Sequence, residues 1–392
     1  MNFLTNKLKV NEKDLPLLKK VYFAFFTSGF MCTLFGAILP FMKAEYNMSY
    51  VLSGLVLSAH QVGNLCAVLI AGFLPYAIGR KKSTVFLSTG IVIGFTIICI
   101  TGNPLALIIA FALAGVSKGT LSNISNVVVS DVTENKTAGL NILHATFAVG
   151  AFISPFIAIF CTKYTPLSWR GGAIILIELE IIAIVGFIFS NLSNTPTAKV
   201  KDTNRLFITS PSFWLNTSIL FFYLCCESSV VGWLVTYFKE SGIFGPFLAQ
   251  SSASFLWIMM MVGRLVCALI STKVNKNKLL VSLALIQVVF FFIMISSSQL
   301  PLILIGLVGV GLGMSGMYPT TLGTMDPRYN SSTVATGTCI AVATLGAVIM
   351  PSIVGVVAQN RGLAGGVSVI GVAYAMMLLL SVIKLLCERK VQ

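Results

Sequence analysis

Lys118 stands in the middle of FALAGVSKGTLSNISNVVVS (111–130), a stretch otherwise apolar enough to sit in a lipid bilayer, with Asn123 and Asn126 close behind. A charge at bilayer depth costs roughly 2.5–3.5 kcal/mol on insertion scales, so a cation there asks for a partner. Ser122 and Asn126 follow it at i+4 and i+8 and share its helical face. The partner is either an acidic group of a small solute or a buried carboxylate. Glu178, Glu180, Glu227 and Arg264 also fall inside apolar runs, with His60 and His144 as titratable companions.

Each of these has a binding reading and a structural one. Glu227 can accept two hydroxyls of a polyol, or hold and release a proton, and by elimination it leads as proton carrier. Its alternative is to serve as counter-ion to Lys118 or Arg264. Asn141 and His144 are three apart on one helical face, and amide with imidazole suits a polyol. Residues of this kind also hydrogen-bond between membrane helices. Arg264 follows Trp257 by seven residues, two turns along the same face, so ring and cation can form a platform for a sugar or carboxylate. A gate salt bridge or a helix C-terminal contact explains Arg264 equally well. Glu178 and Glu180 point to opposite sides of their helix, and at most one can face the interior. A structural role is expected for that pair, and a hydrogen bond between helices for His60 beside Gln61 and Asn64. Trp233, Tyr237 and Tyr318 are candidate aromatic walls.

Enzyme constellations are missing: the sequence has no phosphate-binding P-loop, no HExxH and no GxSxG. With two histidines and nine cysteines scattered through apolar runs, neither a metal site nor a cofactor is expected.

The elements that position these residues follow from composition. Of 392 residues 56% are apolar and only 10% charged, with a mean hydropathy of +0.93, which marks an integral membrane protein. Apolar runs fall at about 19–42, 50–77, 84–101, 104–130, 139–162 and 171–190, and again at 213–238, 247–272, 278–298, 300–324, 332–358 and 366–387. Each can cross a hydrocarbon core of about 30 Å as a helix. The expected architecture is all-α, with twelve spans in two six-helix halves, 1–190 and 213–392, joined by the polar linker 191–212. The first twenty residues, with mixed charge and no small-residue cleavage site, read as a retained tail.

With the N-terminus inside, 19 of the 26 Lys and Arg fall in the cytoplasmic tails and loops, Lys384 among them, and five in the outer loops. That bias predicts both termini in the cytoplasm and makes lipid headgroups, not nucleic acid, the partner of the +14 net charge. Six spans, a linker and six spans is a transporter layout.

Several motifs carry a resemblance. GFLPYAIGRKK (72–82) resembles the loop-2/3 signature of the major facilitator superfamily, matching at Gly72, Gly79, Arg80 and Lys81, with Tyr76 where that signature is acidic. LNILHATFAVGAFISP (140–155), CCESSVVGWLVTYF (225–238), Gly263-Arg264 and GLGMSGMYP (311–319) resemble the branch that includes fucose–proton and sodium–glucose symporters. The resemblance implies a cavity lined by spans 1, 4, 7 and 10 and halves that rock about a midplane site. The acids that the fucose branch carries in spans 1 and 4 are absent, so proton coupling through those positions is not inherited. The glycines of spans 4 and 10 suit close helix packing.

The expectation is a monomeric secondary active transporter of the plasma membrane, moving a sugar or sugar derivative in symport with protons or sodium. Lys118 and Arg264 favour an acidic substrate. The substrate-binding or coupling candidates are Lys118, Asn126, Asn141, His144, Glu227, Trp257, Arg264 and Tyr318, with Gly72, Gly79, Arg80 and Lys81 as a loop gate. The rivals are an efflux antiporter of amphipathic compounds, for which GAFISP (150–155) carries a partial signature, and a non-transporting membrane sensor.

Overall fold

The computed structural model describes residues 10–71, 74–134, 136–192, 206–270, 274–326 and 333–389. Regular structure among them is helical: α1 (Leu15–Glu45), α2 (Tyr50–Ala71), α3 (Leu74–Ile78), α4 (Arg80–Ile100), α5 (Pro104–Val132), α6 (Lys136–Tyr164), α7 (Trp169–Ile188), a short 3₁₀ turn (Leu206–Thr209), α8 (Pro211–Glu240), α9 (Pro246–Ile270), α10 (Lys276–Ser296), α11 (Leu300–Gly323), α12 (Thr333–Ser368) and α13 (Ile370–Arg389). Apolar runs become helices because lipid leaves every backbone N–H and C=O to be satisfied within its own segment. Ten stretches of the described residues are long and apolar enough to cross a membrane, the last of them, Val334–Cys387, holding both α12 and α13.

Several starts are written locally. Proline lies in the first turn of α1, α5, α8 and α11, where its missing N–H costs nothing. Asn103 caps α5 by accepting the backbone N–H groups of Leu105 and Ala106 at 3.0 and 3.1 Å. The helices overrun the apolar runs by a few polar residues, and α12 continues to Ser368, past the expected end near 358 and through a break at Gly362.

The chain divides into two compact units, residues 1–46 with 59–199 and residues 47–58 with 200–392, so α2 is shared between them. In the first unit, Phe35 of α1 stacks on Phe95 of α4 and Phe111 of α5, with ring centroids 4.9 and 4.4 Å away. α5 also meets α2 backbone to backbone: a methyl group added at Gly115 would stand 1.9 Å from the His60 carbonyl oxygen. α7 packs on α1, α4 and α6.

In the second unit α8 lies along α12 and α13, and α11 lies between α9 and α10. Gln287 of α10 donates to the Gly313 carbonyl of α11 at 3.1 Å, using the close approach that glycine permits. The first half of α2 joins this unit through α12, with the Ser58 and Ser352 hydroxyls 2.7 Å apart. Its core is built on Tyr223, Trp233, Phe291 and Tyr374, all fully buried.

Candidate functional site

Three places hold the chemistry, two in the first unit and one in the second. Lys118, Ser122 and Asn126 of α5 are all half-buried, as one shared face requires. Asn126 spends its amide on its own helix, donating to the Ser122 carbonyl at 2.7 Å. Among the described residues of its unit Lys118 makes neither hydrogen bond nor ion pair. The carboxyls that could have paired with it are elsewhere: Glu178 is exposed, Glu180 meets Thr27, Glu45 binds Arg170 and Asp131 binds Arg80. Of the structural alternatives for Lys118, a pair with Glu178 or Glu180 is not formed among these residues.

His60 lies within electrostatic reach of Lys118, buried with its ring on the edge of Phe35 at 4.9 Å. Its Nε2 has no partner. The hydrogen bond expected there between helices is not made at that atom, because an aromatic ring occupies the flank. His144 is exposed, its ring edge-on to Phe25 at 5.4 Å. The Asn141 side chain and Gly72 lie outside the described residues, as does most of the linker.

The second place is the turn between α3 and α4. Gly79 takes φ +86°, open to glycine at no steric cost, and hands the chain to Arg80. Tyr76 removes the acid of the signature, yet Arg80 is not left alone. Its guanidinium pairs with Asp131, at the end of α5, at 2.9 Å. Lys81 donates to the Ser190 carbonyl just beyond α7 at 3.1 Å, where a cation meets the negative end of that helix.

In the second unit Glu227 of α8 is half-buried. The Tyr223 hydroxyl, one turn earlier, lies within hydrogen-bonding reach of it and donates to the Met314 carbonyl of α11 at 3.0 Å. Tyr318 of α11 and Tyr374 of α13 are in electrostatic reach of Glu227, and Arg264 of α9 is in reach of Tyr223. Four helices thus converge on one polar cluster. Arg264 is half-buried and, among the described residues of its unit, has no hydrogen bond or ion pair. Trp257 is buried. Trp233 and Tyr237 serve packing, donating to the carbonyls of Pro351 and Ile295 at 3.3 and 3.4 Å.

Sequence reasoning placed Lys384 among the loop lysines, and the structure corrects that. Its side chain is 7% exposed within α13, and its Nζ donates to Asn216 of α8 and to the hydroxyl and carbonyl oxygens of Thr324. The missed signal was its position inside the apolar run SVIKLLC.

Known proteins align with most of this chain. The family model described as Major Facilitator Superfamily matches residues 21–349. An uncharacterised transporter of that type from Yersinia pestis is 22% identical over 350 residues, 87% of this chain and 88% of its own. An efflux pump of the same type from Pseudozyma antarctica (strain T-34) is 24% identical over 191 residues, 45% of this chain and 34% of the pump. Among solved structures, a mutant of the nucleoside transporter NupG superposes with a TM-score of 0.76 at 12% identity, covering 95% of this chain and 99% of that one. A D-xylose–proton symporter gives 0.76 at 11%, covering 95% and 97%.

Proposed function

The chain belongs to the major facilitator superfamily, and from that premise we propose that it carries a small hydroxylated solute bearing an acid group, a sugar acid, by alternating access in symport with a cation. One observation supports the reading: each unit holds an intramembrane cation, Lys118 or Arg264, with no ion pair among the described residues of that unit. A charge kept at bilayer depth is expensive, and a bound carboxylate offsets that cost. Glu227 with Tyr318 supplies acceptors and donors for hydroxyls, and Asn141 with His144 adds a second set on α6.

The same reading has twelve spans, with α2 and the separation of α12 from α13 supplying the two beyond the ten apolar stretches. It divides the chain at the linker 191–212, places a monomer in the plasma membrane with both termini cytoplasmic, and makes Gly79, Arg80 and Lys81 a loop gate. The motifs shared with the fucose–proton and sodium–glucose branch support a sugar-like solute, and the D-xylose–proton symporter among its structural neighbours is in keeping with that.

A thermal-shift screen of the detergent-purified protein tests it, using D-glucuronate and D-galacturonate against D-glucose and D-galactose. A ligand that binds only the folded state adds roughly 2.7 kcal/mol of stability at 100 times its dissociation constant. Stabilisation by the acids alone is the expected result. Stabilisation by neutral sugars alone removes the acid group from the proposal, and silence from all four leaves efflux of amphipathic compounds as the better reading.

A further inference from the structure

Glu180 of α7 is fully buried, about 16 Å along its helix at 1.5 Å per residue and so near mid-membrane. Its Oε2 lies 2.8 Å from the Thr27 hydroxyl of α1, and its Oε1 has no hydrogen-bond partner. The same Thr27 hydroxyl lies 2.8 Å from the Ala24 carbonyl oxygen. A hydroxyl owns one proton, and a carbonyl oxygen can only accept. Thr27 Oγ1 is placed as donor to both oxygens, so its one proton is shared between them, whereas a protonated carboxyl donating to Thr27 gives each contact a proton of its own. A carboxylate there would have half a proton on one oxygen and no hydrogen-bond partner on the other.

The titratable and charged groups on the neighbouring helices are engaged elsewhere. From α1, Lys20 passes Gly186 and donates to the Phe189 carbonyl at 2.7 Å, and Tyr22 donates to the Gly139 carbonyl at 3.2 Å. Glu45 is held by Arg170 and Trp169 at the start of α7. From α4, Lys81 meets Ser190, while Arg170 donates to the Cys99 carbonyl. From α6, Cys161 packs beside Gly171, His144 lies against Phe25 and Lys163 over Tyr164. Thr27 is the one described side chain that acts on Glu180.

We propose that Glu180 is a proton-binding site and the coupling residue of this transporter. It holds its proton while sealed between α1 and α7. When those helices part, water enters, the O–H bond breaks, the proton passes to water and a carboxylate remains until it is protonated again from the other side. The protonation stands on the local geometry alone; the coupling rests on the transport reading above.

Infrared spectroscopy and proteoliposome transport separate the two. Near neutral pH the wild-type protein should show a protonated-carboxyl C=O band that is absent from Glu180→Gln and shifted in Thr27→Val. Glu180→Gln, which keeps a donor toward Thr27, should retain D-glucuronate counterflow while losing concentrative uptake driven by a proton gradient. The absence of any protonated-carboxyl band that responds to Thr27→Val overturns the site, even if Glu180→Gln fails to fold. Proton-driven accumulation by Glu180→Gln at the wild-type level overturns the coupling. If the wild-type protein shows no D-glucuronate counterflow, the substrate reading has failed, and the infrared band still decides the proton site.

Discussion

Glu180 and Glu227 are both carboxyls inside membrane helices, and both meet a hydroxyl already committed to a backbone carbonyl: Thr27 to Ala24, and Tyr223 to Met314. Their surroundings differ. Glu180 is sealed, with one oxygen unpartnered and, among the described residues, no cation in reach. Glu227 is half-buried among three tyrosines, with Arg264 in reach of the same Tyr223. A sealed acid with a single partner can leave its neutral form only when the structure opens, which suits a group that cycles once per transport event. A half-buried acid with polar neighbours is available to solute hydroxyls. Two intramembrane glutamates that look alike in sequence are sorted by their surroundings.

The cations give the largest expected effects. Lys118→Gln and Arg264→Gln should each weaken D-glucuronate binding about 10- to 150-fold, the equivalent of a lost charged hydrogen bond of about 1.5–3 kcal/mol. Neither change strips a counter-ion from a carboxylate among the described residues of its unit, so the melting temperature without ligand should stay near wild type. A fall in that temperature would make the cation structural, because breaking a buried pair leaves an unpaired charge behind. Arg264→Lys, with the charge kept and the fork geometry lost, should recover part of the affinity.

Glu227→Gln comes next. The amide keeps one acceptor and loses the charge, so affinity should fall by about 1 kcal/mol, or roughly fivefold. Concentrative uptake should survive if the proton resides on Glu180. If Glu227→Gln abolishes proton-driven accumulation while Glu180→Gln leaves it intact, the two carboxyls exchange roles and the comparison is reversed.

How far the sequence reaches is clearest at particular residues. α5 and α11 begin at Pro104 and Leu300, each with a proline in its first turn and α5 with the Asn103 cap as well. α1 begins at Leu15, four residues before its apolar run, because polar residues continue a helix into the headgroup region without a change in hydropathy to mark the end. The face shared by Lys118, Ser122 and Asn126 follows from helical period alone. The period also separated Glu178 from Glu180, one exposed and one buried. Which of them is buried depends on Thr27, 153 residues away on α1. Phe35 against His60 and Asn216 with Thr324 around Lys384 are likewise tertiary contacts that no local pattern announces.

The smallest expected effect lies at the loop gate. Arg80 and Asp131 pair at 2.9 Å with side chains 29% and 56% exposed. Exposed pairs contribute about 0.2–1 kcal/mol, since water solvates both ions when they separate and salt screens their attraction. A double-mutant cycle with Arg80→Gln and Asp131→Asn should therefore give a coupling below about 1 kcal/mol in thermal unfolding, shrinking further in high salt. The pair stands 51 residues apart in sequence and ties the start of α4 to the end of α5. Any larger consequence should appear in the rate of transport and not in stability, because a latch between helix ends acts on the conformational step. A coupling above about 2 kcal/mol, insensitive to salt, would mean that this pair is shielded from water and belongs with the intramembrane charges instead of at a wet edge.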